Sequence, residues 1–233
     1  MTVGDVDRER AKPGLTDTPE RAEAAPGDTP ERMAMFTDAI FAIAMTLLVI
    51  EIKRPEGDAL KSSASLWRFL THEWEAFFAF FLAFALLWTV WRRHHVLMDQ
   101  VDRLNRAFTA WHAPLLLFVA LLPFPTALLG HAIDNPLALC VFAGSEAALL
   151  FSEAALKEVA HRSPSVLSPD ADMAEVRRGA SSSWAVAGFF AVTAALPWAV
   201  PAIPFAWLLA PAAATYGGRL IDRFRRDTEP VTA

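Results

Sequence analysis

The chain has 233 residues, 54% of them hydrophobic and 20% charged, with a mean hydropathy of +0.30. That balance argues against an ordinary soluble domain, in which the apolar share lies nearer one half and about a quarter of the residues are charged. The net charge of −5 gathers in the tails and loops, and the one cysteine, Cys140, leaves no internal disulfide and no thiolate metal site.

In chain order, residues 1–31 are polar and rich in Pro, Asp, Glu and Arg. They lack the apolar stretch of a signal peptide and read as a disordered tail. A bilayer core of about 30 Å needs about 20 mostly apolar helical residues per crossing. The first such stretch is 33–52, entered through Thr29-Pro30-Glu31-Arg32, where Thr29 suits an N-cap and Pro30 the first turn. The loop that follows holds Leu66-Trp67-Arg68-Phe69-Leu70, a pattern suited to a short interfacial helix.

A second span, 74–91, is dense in Phe; a third, 108–129, contains Pro114, Pro123 and Pro125; a fourth covers 136–156. Residues 183–215 then carry no charge, and as one helix they would extend about 50 Å, too long for a single crossing. The proline-rich 197–204 divides them, which predicts a pair of helices and six spans in all. The expectation is an all-α integral membrane protein: a tail at 1–31, a six-helix domain at 32–218 and a tail at 219–233.

Six spans put both ends of the chain on one side. That side would collect Arg92, Arg93, Arg103 and Arg106, then Lys157, Arg162, Arg177 and Arg178, then Arg219, Arg223, Arg225 and Arg226. The other side holds only Lys53, Arg54, Lys61 and Arg68. The bias predicts a multi-pass protein of the cell membrane with cytoplasmic termini.

Three motifs in register narrow the reading. The first span has Arg32, then Phe36-Thr37-Asp38, then an apolar run closing in Glu51-Ile52. The second ends in Trp88, Trp91 and the pair His94-His95, and the third contains Leu122-Pro123-Phe124-Pro125-Thr126. In order and spacing these resemble the bacterial transmembrane protein 175 family of potassium channels over about the first 130 residues. The resemblance implies a homotetramer of six-helix subunits whose first helices line a potassium-conducting pore. It puts the constriction at Ile43, with Leu47 and Ile50 above it and Thr46 on the flank. Two positions depart from the pattern. Thr37 stands where the family usually has Ser, which keeps the hydroxyl, and His112 falls where the third helix would have Asn.

At about 100° per residue, Leu47 lies about 40° from Ile43, and Ile50 about 20° to its other side. Periodicity alone allows that stripe to face lipid or neighbouring helices as readily as a pore. Rings of branched apolar side chains can gate by size and dewetting. Asp38 lies about 140° away, pointing into the subunit. An intramembrane carboxylate needs partners; His94 or His95 suit, with the Trp88 or Trp91 indole and the Thr37 hydroxyl as further hydrogen-bond groups. The reading is a clamp that holds the first helix in place, against the alternative that Asp38 caps a helix beginning later.

Glu146 and Glu153 share a face of the fourth span. They could line a polar path, or pack against Ser145, Ser152 and the helix end near Lys157. A small proton-coupled transporter using these acids and Asp38 is the alternative function. Adjacent histidines point about 100° apart and lack a third ligand, so no metal site is expected. The sequence has no phosphate loop, nucleophile elbow or catalytic dyad that would support an enzyme. No cofactor and no nucleic acid is expected, the partners being the bilayer, potassium as the permeant ion and further copies of the chain.

Overall fold

The computed structural model describes residues 29–200 and 202–228; of the expected amino-terminal tail only 29–31 fall within them. Every regular element among these residues is helical. α1 (Pro30–Leu47) opens with the Thr29 hydroxyl accepting from the Arg32 N–H at 3.4 Å and continues as a 3-10 turn over Leu48–Glu51. α2 (Ser63–His72) occupies the loop where a short helix was expected and is opened by a reciprocal Ser62–Ser65 capping box.

α3 (Trp74–Met98) runs seven residues beyond the expected end at Trp91, because the polar residues there find partners instead of water: Arg93 pairs with Glu153 and His94 with His112. The expected third span is broken into α4 (Arg106–Leu121) and α5 (Pro123–His131). Pro123 has no N–H to offer the Val119 carbonyl, so the Leu122 N–H turns back to both Phe118 and Val119, at 3.1 and 3.3 Å. α6 (Pro136–Arg162) follows, and Asp172 then caps α7 (Met173–Ala194).

The chain turns through the proline-rich segment where a break was expected. It then climbs irregularly through α8 (Ile203–Ala206), a 3-10 turn at Trp207–Leu209, α9 (Ala210–Ala212) and a π turn at Ala213–Gly217 into α10 (Gly218–Thr228). The segment from Arg219, expected as a cytoplasmic tail, is helical as far as Thr228. Its polar residues are engaged: Ser181 donates to Asp222 at 2.5 Å, and Arg225 reaches Glu158 at 3.0 Å.

Among the described residues, four helical stretches are long and apolar enough to cross a membrane: Pro30–Glu51, Trp74–Met98, Arg106–His131 and Pro136–Arg162. α7 packs along α6, and the broken carboxy-terminal segment packs along α7. Trp207 fastens that segment. It is fully buried, its ring lies 5.0 Å from Phe142 of α6 and 6.0 Å from Phe190 of α7, and its indole N–H donates to the Thr193 hydroxyl at 3.0 Å. α3 and α5 meet through small residues, the usual means of close helix approach in a bilayer. A Cβ at Gly130 would lie 2.9 Å from the Ala76 Cα. Gly130→Ala is therefore expected to lower thermal stability in detergent by about 1–3 kcal/mol; an unchanged melting temperature would refute this account of the contact.

Contacts at Trp91–Asp38, Arg93–Glu153 and Arg225–Glu158 bring the amino-terminal half of α1, the ends of α3 and α6, and α10 to one end of the bundle. The arginine-rich segments gather there.

Candidate functional site

α1 presents two unlike faces. Thr37, Phe41, Ala44 and Leu48, spaced at helical intervals, are buried against α3 and α4. The other face carries Ile43 at 58% exposure, Leu47 at 40% and Ile50 at 63%. Thr46 is also exposed and donates its hydroxyl back to the Ile43 carbonyl at 2.8 Å, which leaves that oxygen able to accept from the solvent side. Phe36 and Arg32 are exposed nearer the amino end. Large branched side chains left uncovered along a membrane-length helix require lipid or further protein over them.

The opposite flank is braced. The Trp91 indole N–H donates to Asp38 Oδ1 at 2.8 Å, and His95 Nδ1 stands 4.0 Å from Oδ2. The Trp88 indole does not reach the carboxylate; its ring packs against Trp91 at 4.8 Å, and Trp91 lies 5.5 Å from the His95 ring. Asp38 sits mid-helix, eight residues past the start of α1, so it is no cap. Trp91→Phe removes the close donor and leaves the more distant imidazole. Because the Asp38 side chain is 38% exposed, the expected loss is about 1 kcal/mol rather than the larger value of a fully buried charged hydrogen bond. Asp38→Asn should add little on top of Trp91→Phe in a double-mutant cycle of thermal stability, whereas full additivity would mean the two side chains do not interact.

His94 is engaged elsewhere. Its Nε2 lies 3.2 Å from Nε2 of His112, and His112 Nδ1 lies 2.9 Å from the Phe108 carbonyl. A carbonyl only accepts, so neutral His112 carries its proton on Nδ1, its Nε2 accepts, and His94 donates from Nε2. The two buried rings stand edge to face, with Phe41 of α1 6.2 Å from His94. The position where Asn was expected on the third helix thus completes a link from α4 through α3 to the buried face of α1. Thr37 is fully buried there, and its hydroxyl has no hydrogen-bond partner among the described residues.

A second polar group lies between α3, α6 and α7. Glu153 accepts from Arg93 at 2.8 Å and from Lys157 at 2.6 Å, and Lys157 also donates to Ser183 at 3.1 Å. The i, i+4 spacing of Glu153 and Lys157 was legible as a helix-face pair; the Arg93 contact, 60 residues away in sequence, was not. Ser145 and Ser152 do not serve the two glutamates, since each bonds back to a carbonyl of its own helix. Glu146 is fully buried, with neither carboxylate oxygen partnered among the described residues. No group of three His, Cys, Asp or Glu side chains among them could hold a metal ion.

Residues 32–123, which include the whole of the brace, match the family described as endosomal/lysosomal potassium channel TMEM175. The chain is 36% identical over 133 residues to a potassium channel of Chamaesiphon minutus, a match covering 56% of this chain and 62% of that one. It is 35% identical over 100 residues to a potassium channel of Streptomyces collinus, covering 43% and 47%. The chain thus spans about half the length of the curated relatives it matches. Its structure is similar to that of a lysosomal potassium-selective channel TMEM175 homologue from Chamaesiphon minutus, with a TM-score of 0.68 at 29% identity over 81% of this chain and 97% of that one. It shares the fold of a variant of the potassium channel MtTMEM175, with a TM-score of 0.58 at 14% identity over 92% and 100% of the two chains.

Proposed function

We propose that the chain, whose residues 32–123 match the family described as endosomal/lysosomal potassium channel TMEM175, is a potassium-permeable channel of the cell membrane, a homotetramer of six-helix subunits with cytoplasmic termini. The first helices line the pore, Ile43 forms the constriction, and Leu47 and Ile50 form the rings above it. Thr46 adds a hydroxyl on the flank of the path. Thr37, Asp38, Trp88, Trp91, His94 and His95 make up the network that holds α1 in place, and Arg32 and Phe36 stand exposed at its amino end.

The observation that carries this reading is the division of α1. Three branched apolar side chains stand uncovered on one face, while the rest of the helix packs on α4 and is tied to α3 by the Asp38–Trp91 bond and the Phe41–His94 contact. A fourfold arrangement around that face would cover it with copies of itself, leaving a narrow apolar passage of the kind that gates by dewetting. The arginines gathered at one end of the bundle support the cytoplasmic placement of that end. The transporter alternative is disfavoured, because Glu153 is held by two cations instead of facing a path.

The test is reconstitution of the purified protein in liposomes, with mass measurement of the detergent-solubilised assembly. A tetramer that passes potassium faster than protein-free liposomes is the expected result. A monomer, or flux no higher than the protein-free control, overturns the proposal.

A further inference from the structure

Two adjoining cavities open beside the Arg93–Glu153–Lys157 group and share Arg92 and Arg93 in their walls. The outer one, about 240 Å³, is lined by those two arginines, Lys157, Gln100 and Glu175. The inner one, about 410 Å³, is walled mainly by apolar side chains, among them Leu82, Leu86, Leu150, Trp207 and Pro211. Together they form a groove between α3, α6, α7 and the broken carboxy-terminal segment, basic at one end and apolar along its length. We propose that this groove binds one anionic glycerophospholipid, its phosphate at the Arg92–Arg93–Lys157 mouth and one acyl chain along the apolar wall.

Charge is the first argument. Three cations line the mouth against two carboxylates, Glu153 and Glu175, which leaves one positive charge to be met. Glu153 is already shared between Arg93 and Lys157. Arg92 is exposed and forms no ion pair among the described residues. A phosphodiester carries one negative charge, and guanidinium groups suit phosphate oxygens.

Unsatisfied hydrogen bonding is the second. Among the described residues, buried Arg93 Nε has no acceptor and buried Gln100 Oε1 has no donor. Both line the mouth or flank it, and a lipid phosphate with a hydroxyl-bearing head group offers one partner to each. Buried polar groups left alone are costly, so a ligand that meets two of them gains from both.

Length is the third. From Leu82 to Arg93 along α3 is about 16 Å, close to the half-thickness of about 15 Å that one leaflet of hydrocarbon provides. A free phosphate would satisfy the mouth and leave the apolar part empty. The acyl chain is what makes the two cavities one site. Basic pockets between helices at the cytoplasmic side are a recognised setting for anionic head groups. The proposal needs the chain to sit in a bilayer but does not depend on the pore assignment.

The experiment is native mass spectrometry of the full-length protein in detergent, titrated separately with phosphatidylglycerol, phosphatidylcholine and inorganic phosphate. Wild type is expected to retain phosphatidylglycerol in preference to phosphatidylcholine, and inorganic phosphate should not displace it. Arg92→Gln should lower that retention about tenfold, and Ala85→Trp, which fills the groove from α3, should lower it comparably. Arg219→Gln, a charge lost at the same end but outside the groove, should leave it unchanged. Equal retention of the two lipids, displacement by inorganic phosphate, or equal behaviour of Arg92→Gln and Arg219→Gln would each overturn the site. Retention unaltered in correctly assembled Ala85→Trp would overturn the acyl-chain placement. Should that variant fail to assemble, Arg92→Gln, exposed and outside the core, decides the question alone.

Discussion

Glu153→Gln is expected to be among the most destabilising single substitutions in the molecule, at about 3–5 kcal/mol, read as loss of thermal stability in detergent. The carboxylate is 1% exposed and is shared by two cations, Arg93 at 2.8 Å and Lys157 at 2.6 Å. Losing its charge leaves the buried Lys157 and the partly buried Arg93 near one another without the carboxylate they share, which costs far more than the bonds themselves were worth. Lys157→Met is a different case, because Glu153 keeps Arg93 and only one ion is lost. The expected order is therefore Glu153→Gln well below Lys157→Met in stability. The double variant should recover at least about 1 kcal/mol relative to Glu153→Gln alone, since it removes one of the orphaned cations. Lys157→Met proving the more harmful, or a double variant showing simple additivity, would mean that Glu153 does not hold the two cations together.

The second large effect concerns conduction. Ile43→Ser in the reconstituted protein is expected to raise single-channel conductance and to lower the preference for potassium over sodium. In a fourfold assembly the substitution acts four times at one level. It replaces a ring of branched alkyl groups with hydroxyls that can hydrate a passing ion, which removes the dewetting barrier. A barrier lowered by only about 1 kcal/mol corresponds to roughly fivefold in rate. Val49→Ser makes a matched control, since Val49 is also exposed, in the 3-10 turn that follows α1, but lies about 80° from Ile43 and on the side away from Leu47. Unchanged conductance and selectivity in Ile43→Ser, or equal changes in both variants, would remove Ile43 from the constriction.

The amino-terminal half of the fold was legible in the sequence because its signals are local. A membrane helix announces itself by length and apolar content, and the cap at Thr29 by a single hydroxyl before a proline. Asp38 was readable as a residue in need of a partner, since a carboxylate in that setting has few alternatives, although which indole would serve was not. Trp91 reaches it because it sits one turn nearer the end of α3 than Trp88.

The pairing of His94 with His112 was not readable. Both residues were visible, but the contact joins two helices across a loop, and nothing local to either imidazole names the other. The course of the carboxy-terminal part was not readable for a related reason. The prolines at 197–204 marked where α7 must stop, yet the irregular course from Ile203 to Gly217 depends on Pro204 and Pro211 interrupting successive turns and on Trp207 finding its slot between Phe142 and Phe190. The residues from Arg219 were expected as a cytoplasmic tail, with no structure assigned to them. As far as Thr228 they form helix α10, where Ser181 and Glu158, far away in sequence, supply partners for Asp222 and Arg225.

The 3-10 turn that closes α1 sets a measure along the proposed pore. Four residues of α-helix from Ile43 to Leu47 advance about 6 Å, and three residues of the tighter turn from Leu47 to Ile50 advance about the same distance. The tighter turn also stacks Ile50 almost directly over Leu47, where an uninterrupted α-helix would swing it about 60° aside. In the proposed fourfold assembly the three rings would stand at equal spacing, and an ion passing them would take two steps of the same length. Relaxing Leu48–Glu51 to an ordinary α-helix would shorten the upper step by about a quarter and turn its side chain off the axis, with no change in the residues themselves.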